Sequence, residues 1–219
     1  MSLGCARLSV PDSAARDELA DFVARVVRLE PSAVVRLCAT PGQVNAWAPT
    51  PFEVLTTHRV PGELTPADLT VPGHELLAAL AVQRGASVDP GGASGARWLA
   101  ELPSRWADEQ SWSPVAEVAD AELDQLAGKA IELAHGQAGS HGTPPDSLLD
   151  RALLTVSGAG LRVPVPLRCL LALSGMGLLG GRLAGEKVQV RATDSWLRLD
   201  TRHGSVVRRR HALLPLVSV

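Results

Sequence analysis

Seven basic residues fall between Lys187 and His211 against two acidic ones, and the segments that carry them alternate apolar and polar positions. Period-two alternation is the signature of a half-buried β-strand, so Arg191, Trp196, Arg198, Arg208, Arg209 and Arg210 are the candidate binding face of a sheet. Guanidinium groups pair with carboxylates or phosphates, and an exposed indole stacks on a base or a cation. Two properties of strands oppose a binding role. Exposed strands are often charged simply to resist edge-to-edge aggregation, and a lone aromatic on a strand usually packs.

Motifs that could carry catalysis fail on context. Gly175-Met-Gly-Leu-Leu-Gly180 has the glycine spacing of a dinucleotide-binding turn, with Asp194 further on. That chemistry needs a helix of several turns after the glycines, and only Arg182 to Glu186 separates them from the next strand. Glycines that stop a helix and turn the chain are the expectation. Ala138-Gly-Ser-His-Gly142 is one residue away from a nucleophile elbow, but a helix precedes it and Thr-Pro-Pro follows. His74-Glu75 opens like a zinc-protease motif, yet Ala78 stands where the second histidine is needed. Gly128-Lys129 lacks the rest of a phosphate-binding loop. No catalytic, cofactor-binding or metal-ligating residue is expected, and no cofactor. An enzyme of unfamiliar type would need a pocket built from distant residues, such as His58 with Glu53.

Cys5, Cys38 and Cys169 are odd in number and widely spaced, which suits reduced buried thiols and a cytoplasmic address. Leu3-Gly-Cys5 resembles a lipoprotein cleavage site, but no apolar signal region fits before it. The longest stretch without charge or proline, Cys169 to Gly181, has 13 residues. Crossing a bilayer takes roughly 20, so no membrane partner is expected.

The formal charge of the 219-residue chain is -2, but it is unevenly laid out. Residues 1–100 carry 8 basic and 10 acidic side chains, 101–150 carry 2 and 10, and 151–219 carry 11 and 3. Equal and opposite blocks can face each other within one chain or between copies, and this self-complementarity is favoured over an external polyanion. Arg outnumbers Lys 19 to 2, a bias expected of a GC-rich genome, so arginine abundance alone is weak evidence for phosphate chemistry.

The elements that must position these residues are those of an α+β fold. Cys5 to Val10 reads as a strand, and residues 13–29 as an amphipathic helix capped by Asp12 or Ser13. Val34 to Ala39 and Val44 to Trp47 flank Pro41-Gly42 as a hairpin. Phe52 to Val60 follows as a strand, then a turn-rich connector, and His74 to Arg84 as a helix. Together these make a β-α-β-β-β-α lobe over residues 1–88. Residues 97–134 hold three tryptophans and an acidic middle helix that starts at Pro114. Residues 148–219 read as a hairpin, a helix from Pro166 to Ser174 that is apolar nearly all round, and a three-stranded antiparallel meander. The three segments can pack as one domain. No repeat of 20 to 50 residues is visible, which excludes a solenoid.

Val163-Pro-Val-Pro-Leu-Arg168, Gly175-Met-Gly-Leu-Leu-Gly180, Trp196-Leu-Arg-Leu-Asp200 and Gly204-Ser-Val-Val-Arg208 resemble segments of uncharacterised conserved proteins of GC-rich actinobacteria. The resemblance covers the last third of the chain and implies no activity or site residue. The expected function is therefore non-catalytic: a cytoplasmic protein that binds a protein partner or a second copy, as in a dimer, through its basic C-terminal sheet face. The alternative is a nucleic-acid-binding regulator using the same face.

Overall fold

The computed structural model describes residues 6–83, 85–92, 97–136, 145–181 and 185–210, with side chains of 133–136 left aside. Pro11 ends strand β1 (Arg7–Ser9), and the Asp12 carboxylate then accepts from the Ala14 N–H at 3.1 Å to start helix α1 (Ser13–Leu29). Asp12 fills this role because its side chain satisfies an amide with no partner in the first turn. Ala15, Leu19, Phe22, Val23 and Val26 recur at three- and four-residue spacings and are buried along one stripe.

Strands β2 (Val34–Thr40), β3 (Gln43–Pro49) and β4 (Leu55–Pro61) form a meander, with Gly42 at φ 74° in the first turn. The segment expected to be a connector forms two short strands, β5 (Glu63–Thr65) and β6 (Asp68–Pro72). Helix α2 (Gly73–Val82) and β7 (Ser87–Val88) complete the N-terminal half. Pro114 does not start a helix: strand β8 (Ser113–Ala119) comes first, and α3 (Asp120–Gly136) starts six residues later than expected. Proline is tolerated there because β8 is an edge strand, where a missing N–H breaks no ladder. The short helix α4 (Asp146–Leu149) leads to the hairpin β9 (Ala152–Gly158) and β10 (Leu161–Pro166), helix α5 (Leu167–Gly175), and the meander β11 (Lys187–Ala192), β12 (Trp196–Thr201) and β13 (Gly204–Arg209).

Every strand pair is antiparallel. The large sheet runs β6-β2-β3-β4-β13-β12-β11-β8, and its two halves join where Thr56 stands opposite Val206. Each half contains the same two units in opposite order. A strand, a helix and a meander make the first (β1-α1-β2-β3-β4 and β10-α5-β11-β12-β13). A strand, a helix and a strand make the second (β6-α2-β7 and β8-α3-β9). The pairings correspond: β6 to β2 as β8 to β11, and β7 to β1 as β9 to β10. Because the units are swapped in chain order, no constant period links them in sequence.

Helices α1, α2, α3 and α5 cover one face of the large sheet and enclose an apolar core drawn from both halves, including Leu19, Phe22, Val44, Leu173, Leu199 and Val206, with a smaller cluster of Ala130, Leu148, Leu149, Leu167 and Leu171 among α3, α4 and α5. α5 is buried from Leu167 to Leu173, and one of those residues is charged. Arg168 lies in it with 1% of its side chain exposed, its Nη1 2.7 Å from Glu53, Nη2 3.5 Å from Asp146 and Nε 2.8 Å from Asp150. No helix among the described residues is long and apolar enough to cross a membrane.

Candidate functional site

The face of the sheet away from the helices is crossed by the segment 97–112, which joins the halves. On that face Cys38, Trp47, Leu55, Trp196 and Val207 cluster with Trp112, and Trp98, Leu102 and Trp106 pack on them. Trp106 meets Trp47 edge-on, with ring centroids 6.0 Å apart. Guanidinium groups lie over the other rings: Arg198 5.5 Å from Trp112, Arg209 5.2 Å from Trp196 and Arg36 5.8 Å from Trp98. The segment is held like a strap by three indoles that would otherwise be wet.

Local chemistry aims one carboxylate of the strap at the sheet. Asp108 accepts from the Gln110 N–H at 3.1 Å, and the Ser111 hydroxyl donates to the Asp108 carbonyl at 2.7 Å, which winds Glu109–Ser111 into a 3₁₀ turn. Glu109 then receives three guanidinium groups. Its Oε1 lies 2.6 Å from Arg59 Nη2 and 3.0 Å from Arg198 Nη1, and its Oε2 lies 3.1 Å from Arg191 Nη1. Asp200 supports the same arginines from below, 2.5 Å from Arg198 Nε and 3.4 Å from Arg191 Nε, and it accepts the Ser205 hydroxyl at 2.5 Å.

Partial burial pushes the Glu109 carboxyl up, but the Arg198 and Arg59 groups outweigh it and hold its pKa below the ordinary value. Burial likewise works against the Arg198 charge, and Asp200 and Glu109 overcome it, so the guanidinium pKa is raised. Around this cluster lies a cleft of about 530 Å³, bordered by Trp47, Trp106 and Trp112, with Arg59, Arg191 and Arg198 against the carboxylates of Glu109 and Asp200, and Arg202 at its border paired with Glu186.

Of the six residues expected to form the face, Arg191, Trp196, Arg198 and Arg209 share it. Arg208 sits on the opposite side of β13, 2.7 Å from Asp150. Arg210 follows the strand and donates to the carbonyls of Thr193 at 2.8 Å and Arg162 at 3.2 Å. Four of the five arginines are ion-paired among the described residues: Arg208 with Asp150, Arg209 with Glu101, and Arg191 and Arg198 with Glu109 and Asp200. Part of the acidic block 101–150 thus pairs with part of the basic block 151–219, with Asp146, Asp150 and Glu117 adding their pairs to Arg168, Arg208 and Lys187. The pairing comes from the strap and the flanks of α3, whereas Glu122, Asp124 and Glu132 on α3 itself remain exposed to solvent.

Sequence reasoning missed Glu109 and Asp200 as partners of the arginines, and Arg59 and Trp47 as members of the site. The alternation of β12 already placed Asp200 on the Arg198 side, but nothing in local pattern says that residues 97–112 fold over that face.

The other motifs take structural roles. Gly177 and Gly180 adopt φ 60° and 78°, and the N–H groups of Gly180 and Gly181 donate to Asp120 Oδ2 at 2.9 and 3.1 Å. The chain's own carboxylate therefore fills the amide cradle. His58 stacks on Phe22 beneath α1, 3.8 Å from Glu18, while Glu53 belongs to Arg168, so these two are not brought together. Cys38 and Cys169 are buried free thiols; Cys5, the Ala138–Gly142 motif and His211 lie outside the described residues.

Residues 4–100 match the model of a domain of unknown function, DUF8010, and residues 108–213 match that of a second, DUF8185. The boundary between the two falls within the strap. No curated protein matches the chain. Solved structures do. A DNA polymerase sliding clamp from Caulobacter crescentus superposes with TM-score 0.55 at 17% identity, over 96% of this chain and 67% of that one. The Pseudomonas aeruginosa sliding clamp with ligand gives 0.54 at 16%, over 92% and 64%. A putative DNA polymerase III beta subunit from Eubacterium rectale gives 0.59 at 11%, over 97% and 67%. The likeness is one of fold. The chain spans about two thirds of the length of these clamps.

Proposed function

We propose that this chain is a non-catalytic, cytoplasmic protein of sliding-clamp fold that works by binding a protein partner or a second copy of itself through the outer face of its large sheet. The observation that carries this reading is the cleft beside Glu109, where three arginines meet two carboxylates among three tryptophans. Indoles and arginines dominate the binding energy of protein interfaces, because they bury large areas and still satisfy polar atoms at their ends. The test is association of the full chain, by sedimentation at low and high salt and by partner capture, for the wild type and for Arg191→Glu with Arg198→Glu. Salt-sensitive association that the charge reversal abolishes is expected. A wild-type chain that stays monomeric at every ionic strength and retains no protein would overturn the reading.

Nucleic acid is the second reading, favoured by the names of the clamps whose fold this chain shares. The helix layer weighs against it, since α1 carries three basic and three acidic residues and α3 carries four acidic residues and one lysine. Phosphate backbones are bound by net cationic surfaces, with affinity that falls steeply as salt rises. Retention of duplex or single-stranded DNA by the wild type, with such a salt slope, would favour this reading over protein binding.

A further inference from the structure

Glu109 is the exchangeable member of its cluster. Asp200 is fixed within β12 and is 17% exposed, whereas Glu109 rides on a three-residue turn of the strap with 35% of its side chain exposed. With both carboxylates in place the cleft still holds more positive than negative groups. Its hydrogen-bond inventory leans towards donors. Of the buried atoms in residues bordering the cleft that find no hydrogen-bond partner among the described residues, Trp47 Nε1 and Trp112 Nε1 are donors, Thr57 Oγ1 and His58 Nε2 can act either way, and Asp200 Oδ2 is an acceptor that lies 3.4 Å from Arg191 Nε. An indole N–H can only donate, and guanidinium groups only donate. The cleft therefore offers more donors than acceptors, and its volume lies within the range of ligand sites.

We propose that this cleft is the docking site for an acidic segment of a partner protein, and that Glu109 is a built-in stand-in for the partner's carboxylate. The inference rests on the protein-binding reading above and specifies its ligand chemistry and its control. The incoming carboxylate takes the place of Glu109 between Arg59, Arg191 and Arg198, so one anion replaces another and the cluster keeps its charge balance. The group already resident there is a carboxylate flanked in sequence by Trp106 and Trp112, which is the chemistry of a protein segment. While Glu109 is seated, the strap competes as a tethered ligand, and tethering supplies an effective concentration that a free partner must exceed.

The experiment uses the full chain with Glu109→Ala and the near-isosteric Glu109→Gln, checked for folding by circular dichroism and thermal melting. The probes are labelled hexaglutamate and hexaglutamine peptides and a thymidine oligonucleotide of matching charge. Hexaglutamate is expected to bind both variants roughly tenfold or more tightly than it binds the wild type, as expected when an intramolecular competitor is removed. Hexaglutamine should show no such gain, and Arg59→Ala added to Glu109→Gln should lose it. Equal hexaglutamate affinity for wild type and both folded variants would overturn the stand-in role. A gain for the oligonucleotide as large as that for hexaglutamate would overturn the choice of a protein segment. If Glu109 removal changes nothing while Arg191→Glu with Arg198→Glu still abolishes association, the stand-in fails and the protein-binding reading stands. If neither variant alters any association, both fail.

Discussion

A side-chain carbon on Gly158 would stand 2.0 Å from the carbonyl oxygen of Val115. This close approach docks the β9–β10 hairpin against β8, the edge of the large sheet. Gly158→Ala should destabilise the chain by about 1–3 kcal/mol, because backbone rather than a movable side chain blocks the added methyl. Gly128 in α3 has open space around it. Gly128→Ala should stabilise by about 0.5–1 kcal/mol through helix propensity. Thermal melting of the two variants against wild type should shift the midpoint in opposite directions.

Arg168 ties α5 to the loop before β4 and to α4 through Glu53, Asp146 and Asp150. Arg168→Met keeps most of the stem's packing and removes the charge-assisted bonds. Its acids are each half exposed or more, so they can rehydrate. The expected loss is therefore about 2–3 kcal/mol, below that of stranding a fully buried charge. Urea unfolding should show a lower midpoint with the slope unchanged.

Burial lowers the His58 pKa, and the nearby Glu18 only partly opposes this, while His203 and Arg25 add to the lowering. The folded protein then holds His58 neutral at pH values where the unfolded chain binds a proton. Stability is full above the unfolded value of about 6.5 and falls as pH drops through it towards the folded value. His58→Phe should flatten the stability slope between about pH 7.5 and 5.5. A variant with the wild-type slope would assign it elsewhere.

Arg208 and Arg209 are adjacent in sequence but act on opposite sides of the sheet, with Asp150 and Glu101 as their partners. Arg208→Glu places a negative charge beside Asp150 and should lower the melting temperature by several degrees, for a loss of about 1–2 kcal/mol. Arg209→Glu should leave the melting temperature within a degree or so, because it removes one exposed pair to Glu101 while the strap's indoles and Glu109 stay in place, and its effect should be confined to a small change in tryptophan fluorescence from Trp196.

Burial pushes the Cys38 thiol up to about 11, with Asp68 adding to the effect, and burial pushes Cys169 up to about 12. Thiolate is the reactive form, so both should resist alkylation in the native state at pH 8 and react once denaturant is added. A Cys5→Ser background isolates the pair. Rapid native labelling of either would contradict their burial.

Local pattern alone determined most of the elements. Asp12 before the Leu19–Val26 stripe, Pro41-Gly42 between two strands, and period-two alternation from Lys187 onward each act over a few residues, so α1, the first hairpin and the C-terminal meander were legible. β6 and β8 were not, because edge strands pair along one side only and tolerate the Pro72 and Pro114 that argue against a strand in sequence. Charge layout left open whether the acidic middle and the basic end meet within the chain or between copies, and did not say which residues would do it. Only the tertiary structure decided that β4 joins β13, that the two halves repeat one plan in swapped order, and that Glu109 rather than α3 covers the arginines. The physical reason is distance along the chain: Glu109 is 82 residues from Arg191 and 89 from Arg198. Contacts that close loops of such length leave no periodicity or spacing for local sequence to display.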